Sequence, residues 1–276
     1  MLVYALMDQQ VFWGQEVRQY PLLLLWLLAS SWFLLRWMKA QGRGALPFGL
    51  ATAYTLSVIG GLYTHSFMGL VILAQLLFVM ARLPRQHWLR YGSLLALAGV
   101  AFLPWGAAFV YQFQVHGGLR HDWPLNGRTL EILTTHFLGS PVALPLGLIV
   151  LALVRPWVAA PGWRRPPPMP GGLLLPVLGI GVPIALVIAL TLFSENTRLL
   201  TDRNLAILLP WLAVLVALGL SAFEPFGRAV LVGLFILNGL ATTDVAADNP
   251  PWPEVAAFLA LRRGGGGRGY RGCFWR

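Results

Sequence analysis

The chain has 276 residues, of which 57% are hydrophobic and only 11% are charged. Soluble domains carry about 25% charged residues, so this composition excludes an ordinary water-soluble fold and indicates an integral membrane protein. The formal net charge of +10 does not indicate nucleic-acid binding, because the basic residues alternate with long apolar runs and do not share one face.

Uncharged runs between successive charged residues predict the membrane-spanning helices. About 20 apolar residues cross the roughly 30 Å hydrocarbon core of a bilayer. The run between Arg18 and Arg36 has 17 residues and fits one crossing, and the run between Arg43 and Arg82 has 38 and fits a hairpin of two. Single crossings are also predicted between Arg90 and Arg120, Glu131 and Arg155, Arg165 and Glu195, Arg203 and Glu224, and Arg228 and Asp244. We therefore expect an all-α, polytopic transmembrane bundle of about eight spans.

The predicted organisation has five parts. Residues 1–19 form an extracytoplasmic entry segment, and residues 20–155 contain the front helices with an external loop at 112–140. A Pro/Gly-rich cytoplasmic linker at 156–172 separates them from the back helices at 173–245. Residues 246–276 form a partly disordered extracytoplasmic tail that opens with a short amphipathic helix, WPEVAAFLALRR, and contains the single cysteine, Cys273.

Lysine and arginine are distributed unevenly between alternate loops. One set of loops contains ten of them, and the opposite set contains five before the tail adds five more. By the positive-inside rule the first set is cytoplasmic. Nine of the ten acidic residues then lie outside, and only Glu224 lies inside. This orientation places the stretch WGQEVRQYP, His65 and the loop 194–203 on the extracytoplasmic face.

The stretch WGQEVRQYP, residues 13–21, immediately precedes the first predicted helix. Glu16 and Arg18 stand two positions apart, so on a helix they would not face each other, and a local ion pair does not explain both. In one interpretation they form an interfacial cap, with Arg18 reaching the lipid headgroups and Glu16 near the helix N-terminus. In the other they form a polar site in which Arg18 binds a phosphate through two parallel hydrogen bonds.

Two further positions allow both a structural and a functional interpretation. His65 lies in LYTHSF at the predicted outer turn of the hairpin, where it is either a satisfied interfacial histidine or a hydrogen-bond donor in an outward-facing cavity. Arg203 directly precedes the apolar run in TDRNLAILLPW and either snorkels to headgroups or binds a phosphate.

The predicted external loop contains several residues that could ligate a divalent metal: His116, His121, Asp122 and His136. Their separations match no tight zinc pattern, so we predict no metal site there and expect the loop to form a lid over an external cavity. The sequence contains no Gly-rich phosphate loop and no transmembrane string of acidic residues. Both absences argue against a nucleotide-driven pump and a proton-coupled transporter.

Two motifs occur in an order and spacing typical of one enzyme family, and a third stretch matches that family more weakly. The first has the form S/G-Q-E-x-R-x-Y and the second the form Y-T-H-Y-F, while DRNLAILLPW is similar to an R-Y-L-L-x-x-x-P helix in which Asn204 replaces the common tyrosine. The chain thus resembles the membrane glycosyltransferases of the protein-mannosyltransferase-like family 39, which have the GT-C architecture. The matching residues are Gly14, Gln15, Glu16, Arg18 and Tyr20 in the first motif, Tyr63, Thr64, His65 and Phe67 in the second, and Arg203 in the third.

The resemblance implies an inverting transfer of a sugar from a polyprenyl-phosphate donor to an acceptor, on the extracytoplasmic face of the bacterial plasma or inner membrane. It implies that Gln15, Arg18, Tyr20, His65 and Arg203 bind the lipid phosphate or the substrate, and that Glu16 has a supporting catalytic role. Members of the family carry an acidic motif on a large external loop upstream, which supplies the base and can bind a divalent metal. The chain starts where the Q-E-x-R helix begins, so we expect an N-terminally truncated fragment with no assignable cofactor.

A transporter or flippase for lipid-linked or amphiphilic substrates is the alternative function. It predicts inverted repeats and helices broken near the bilayer midplane. Pro183 with Gly179 and Gly181 offers one such break, although no counterpart aligns with it. A purely structural membrane scaffold would explain the hydropathy, but it gives no reason for QEVRQY and YTHSF to lie on the same predicted side.

Overall fold

The computed structural model describes residues 19–41, 47–115, 127–138, 142–158, 171–193 and 205–242. The chain divides into two compact units, residues 1–241 and 242–276, and every described residue except Thr242 belongs to the first unit. Residues 1–18 of the predicted entry segment, the predicted amphipathic helix and the glycine-rich tail lie outside the described residues.

The regular structure of the described residues is entirely helical, which confirms the predicted all-α class. Its nine α-helices are α1 Tyr20–Gln41, α2 Phe48–Thr64, α3 Met68–Arg82, α4 Trp88–Val115, α5 Gly127–Leu138, α6 Ala143–Val158, α7 Gly171–Phe193, α8 Leu209–Leu220 and α9 Pro225–Thr242. Short 3₁₀ turns at Arg85–His87 and Ala206–Leu208 lead into α4 and α8.

Three of the described helices are long and apolar enough to cross a membrane: α1, the stretch Arg85–Tyr111 through α4, and Gly172–Leu190 within α7. The other apolar helices are shorter than the full thickness of the hydrocarbon core requires. The structure is therefore compatible with a membrane protein, while the full set of about eight crossings stays a prediction.

The hairpin predicted between Arg43 and Arg82 is present as α2 and α3, with residues 65–67 between them. The segment between Glu131 and Arg155, predicted to be a single crossing, instead contributes to the two helices α5 and α6. The sequence between them contains Gly139 and Pro141, residue types that end helices by backbone freedom and by steric restriction of the preceding residue.

The main core cluster includes residues from both sides of the predicted linker. Buried side chains of α1 to α4 pack in one cluster with Leu175 and Val187 of α7 and with Leu205 to Trp211. The helix α7 packs on α3, and α8 packs on both α6 and α7. The described helices on the two sides of the Pro/Gly-rich stretch therefore share one core.

Large apolar side chains also cover the outside of the bundle. Leu89 is 85% exposed on α4 and Phe226 is 82% exposed on α9, and almost none of the apolar stretch Arg85–Tyr111 is buried. Outward-facing apolar surface of this extent is costly in water and favourable in lipid.

Candidate functional site

The start of α1 and the turn between α2 and α3 lie together at one end of the bundle, here called the His65 end. The rings of Tyr20 and His65 have centroids 5.6 Å apart, and those of His65 and Phe67 are 4.9 Å apart. Tyr20 belongs to the first sequence motif, whereas His65 and Phe67 belong to the second. Residues separated by 45 positions are thus in ring contact, and this arrangement is the only part of the predicted site that the described residues contain.

The turn at His65 ends one helix and begins the next. The backbone of His65 is extended, with φ −160° and ψ 138°, and its N–H donates to the Gly61 carbonyl. Its carbonyl accepts from the Met68 N–H at 3.0 Å. Its ring Nδ1 accepts from the Phe67 N–H at 3.1 Å. A side chain that accepts from the second backbone N–H after it stabilises a turn, so this bond holds the segment that leads into α3.

The environment of His65 favours the neutral imidazole. Burial lowers the pKa of His65 below its ordinary value, because removal from water penalises the charged form. Both nitrogens of an imidazolium are donors, so protonation of Nδ1 would also break the bond from Phe67. The hydrogen bond and the lowered pKa therefore both favour a neutral His65.

Tyr63 and Thr64, the first two residues of the second motif, have structural roles. The Tyr63 hydroxyl donates to the Ala101 carbonyl at 2.8 Å and so links the end of α2 to α4. Its ring also meets Phe102 edge-on. The Thr64 hydroxyl donates to the Gly60 carbonyl of its own helix. Their part in the motif is thus to hold the turn that presents His65.

The other predicted site residues, Gln15, Glu16, Arg18 and Arg203, lie outside the described residues. The described chain resumes at Leu205, two positions after Arg203, and the turn Ala206–Leu208 is buried and packs against α1 and α7. The described part of the third motif thus contacts α1, the helix whose first residue is two positions after Arg18.

A buried polar network in the bundle interior was not anticipated from the sequence. Gln75 of α3 donates through Nε2 to Ser30 at 3.0 Å and Ser31 at 3.1 Å on α1. Its Oε1 accepts from the Tyr54 hydroxyl of α2 at 3.1 Å, and Tyr54 lies 2.8 Å from the Tyr91 hydroxyl of α4. The signal that could have revealed it is one glutamine in the run VILAQLLFVM and a serine pair in LLASSWF.

Basic side chains gather at the opposite end, here called the Arg90 end. Arg90 of α4 donates to Gln41, the last residue of α1, at 3.1 Å. Arg36 lies over the Trp32 ring at 5.2 Å, and Arg85 lies over the Trp88 ring at 5.8 Å. Arginine over tryptophan is a typical pair at a membrane–water boundary.

The described ranges contain no candidate metal site, because no three His, Cys, Asp or Glu side chains come together there. The loop residues His116, His121 and Asp122 lie outside those ranges, and His136 is described only as a position on the backbone of α5.

No protein-family model matches the chain, and neither a curated protein nor a solved structure matches it significantly. The resemblance to the family 39 glycosyltransferases therefore depends on the sequence motifs alone.

Proposed function

We propose that this chain belongs to a multi-pass glycosyltransferase of the cell membrane that takes a sugar from a polyprenyl-phosphate donor at the extracytoplasmic face. The observation that carries the proposal is the ring contact between Tyr20 and His65, which joins the first two motifs at one end of the bundle. A polyprenyl phosphate needs a polar site at that level, because its chain stays in lipid while its charged phosphate stays at the interface.

In the proposed reaction an acceptor oxygen attacks the anomeric carbon of the sugar from the side opposite the phosphate. The bond between that carbon and the phosphate oxygen breaks, and polyprenyl phosphate leaves with the bonding electrons. A carboxylate takes the acceptor proton, and cationic side chains stabilise the charge that develops on the phosphate. Arg18 and Arg203 are the proposed phosphate-binding residues, and Glu16 has the supporting role of orienting Arg18 or the acceptor hydroxyl.

The packing of the turn Ala206–Leu208 against α1 supports this assignment of the two arginines. Arg18 stands two positions before α1 and Arg203 stands three positions before the turn Ala206–Leu208, and α1 and this turn contact each other. Guanidinium groups bind phosphates through charge-assisted hydrogen bonds, which is the role proposed for both arginines.

A binding measurement tests the proposal directly. The chain in lipid nanodiscs is titrated with a short polyprenyl phosphate, followed by the fluorescence of its tryptophans. We expect Arg18→Ala and Arg203→Ala each to weaken binding about tenfold or more, because hydrogen bonds to charged groups contribute about 1.5–3 kcal/mol. Arg85→Ala is the matched control, since Arg85 is an exposed arginine at the Arg90 end. Equal affinities for all three variants would contradict the proposed site.

The flippase alternative makes a different prediction for the same carrier. A transferase cleaves a labelled polyprenyl-phosphate sugar and leaves polyprenyl phosphate, whereas a flippase moves the intact lipid between leaflets. The helix α7 continues from Gly171 to Phe193 with Pro176 and Pro183 inside it, so the break that a transporter would use at Pro183 is not present there. Transbilayer movement without cleavage in proteoliposomes would nevertheless favour the flippase.

A further inference from the structure

The ring of His65 is held from two sides. Tyr20 of α1 lies 5.6 Å from it and Phe67 lies 4.9 Å from it, so the orientation of the imidazole is restricted by packing. One nitrogen is also committed, because Nδ1 accepts the Phe67 N–H at 3.1 Å. The other nitrogen, Nε2, has no hydrogen bond to any residue in the described part of the chain.

The hydrogen bond that Nδ1 of His65 accepts determines which ring nitrogen carries the proton. A backbone N–H can only donate, so Nδ1 has to offer its lone pair, and in a neutral imidazole the proton then resides on Nε2. An Nδ1–H tautomer or an imidazolium would place two donors face to face at 3.1 Å. The turn between α2 and α3 therefore selects one tautomer.

We propose that His65 binds the phosphate of the lipid carrier as a neutral hydrogen-bond donor, through Nε2–H, while Nδ1 accepts from the Phe67 N–H and holds the turn before α3. The identity of the acceptor oxygen rests on the proposed function; the tautomer does not. The side chain therefore acts as neither the catalytic base nor a cation in this site. It supplies a directional donor, and the bond from the Phe67 N–H to Nδ1 fixes the direction of that donor.

Two substitutions separate the two nitrogens. In His65→Asn, the Oδ1 atom lies near the position of Nδ1 and can still accept from Phe67, but no donor reaches the position of Nε2. In His65→Gln, the amide nitrogen reaches the position of Nε2, but the acceptor for the Phe67 N–H is lost. Each variant therefore removes one of the two proposed roles.

With the same short polyprenyl phosphate in nanodiscs, we expect His65→Asn to weaken binding about tenfold, as expected for the loss of one hydrogen bond to a charged group. His65→Gln should bind within about twofold of the unmodified chain, which is less than one neutral hydrogen bond contributes. The melting temperatures should show the opposite order, with His65→Gln below His65→Asn. Equal binding by the unmodified chain and His65→Asn would overturn the donor role.

Nitrogen NMR of the ¹⁵N-histidine-labelled chain in nanodiscs tests the tautomer without reference to any activity. The chain has five histidines, and the His65 signals are those that disappear in His65→Asn. We expect Nε2 to carry the proton and Nδ1 to be unprotonated near neutral pH. A protonated Nδ1 would refute the assignment. Absence of polyprenyl-phosphate binding by the unmodified chain would instead refute the proposed function, with the tautomer still determined by the spectrum.

Discussion

At the scale of single residues, the interior polar network satisfies every one of its donors. The hydroxyls of Ser30 and Ser31 both donate to the Leu27 carbonyl, so they accept from the Gln75 amide. Tyr54 donates to the Gln75 carbonyl oxygen, which leaves Tyr91 as the donor to Tyr54. The donors therefore form one directed chain from Tyr91 to a backbone carbonyl, and no proton is left without an acceptor.

This direction predicts unequal costs for two substitutions at equally buried positions. Gln75 is 0% exposed and Tyr91 is 1% exposed. Gln75→Leu removes the acceptor of Tyr54, so one phenol proton is left without a partner, at a cost of about 1–3 kcal/mol in the free energy of unfolding. Tyr91→Phe removes only the first donor of the chain, and it should cost about 0.6 kcal/mol, the average for hydrogen bonds between membrane helices.

Reversible unfolding in mixed micelles measures both values. Tyr54→Phe, which takes away the acceptor of Tyr91, should resemble Gln75→Leu more than Tyr91→Phe. A Tyr91→Phe chain that is less stable than the Gln75→Leu chain would show that the donors run in the other direction.

At the scale of helices, close approach between α6 and α8 depends on Gly219. A Cβ atom added there would meet the carbonyl oxygen of Leu148, which is backbone and cannot rotate away. A Cβ at Gly181 of α7 would meet nothing within 4 Å. Close packing at small residues is a principal source of helix association in lipid, where no hydrophobic force drives it.

We therefore expect Gly219→Ala to destabilise the chain by about 1–3 kcal/mol, the usual cost of overpacking. Gly181→Ala should be neutral or stabilising by up to about 1 kcal/mol, because alanine is the better helix former. Thermal unfolding in one detergent compares the two variants. If Gly181→Ala lowers the stability as much as Gly219→Ala does, the close contact between Gly219 and Leu148 is unimportant.

The elements could be predicted from the sequence where a local signal existed. Charged residues bound each apolar run, and the polar Thr64, His65 and Ser66 mark the turn between α2 and α3. Counting charges does not predict α5 and α6 as two helices, because it ignores Gly139 and Pro141, whose residue types disfavour a continuous helix. The contact between Tyr20 and His65 and the chain of hydrogen bonds from Tyr91 could not be predicted, since both depend on which helix faces lie together, and one sequence does not specify this.

At the scale of the whole molecule, the ends of helices α1 to α4 lie where helices that cross a membrane in alternating directions would place them. Tyr20 and His65 lie at one end, and Gln41 and Arg90 lie at the other. In the second half, Arg155 of α6 lies 3.4 Å from the hydroxyl of Ser221, which directly follows α8. The basic residues near these ends are those that the positive-inside rule counts as cytoplasmic.

The orientation of the chain in the membrane is still a prediction, and labelling of the single cysteine can test it. We predict that Cys273 and the His65 end face the extracytoplasmic side. A membrane-impermeant maleimide added to intact cells should label the unmodified chain, because the thiol of Cys273 would be outside. In a Cys273→Ser background, Ser66→Cys should be labelled from outside, whereas Gln86→Cys, in the exposed turn before α4, should require permeabilised cells. Labelling of Gln86→Cys but not Ser66→Cys in intact cells would reverse the topology. It would also remove the extracytoplasmic site from the proposed function, because the phosphate-binding residues would then face the cytosol.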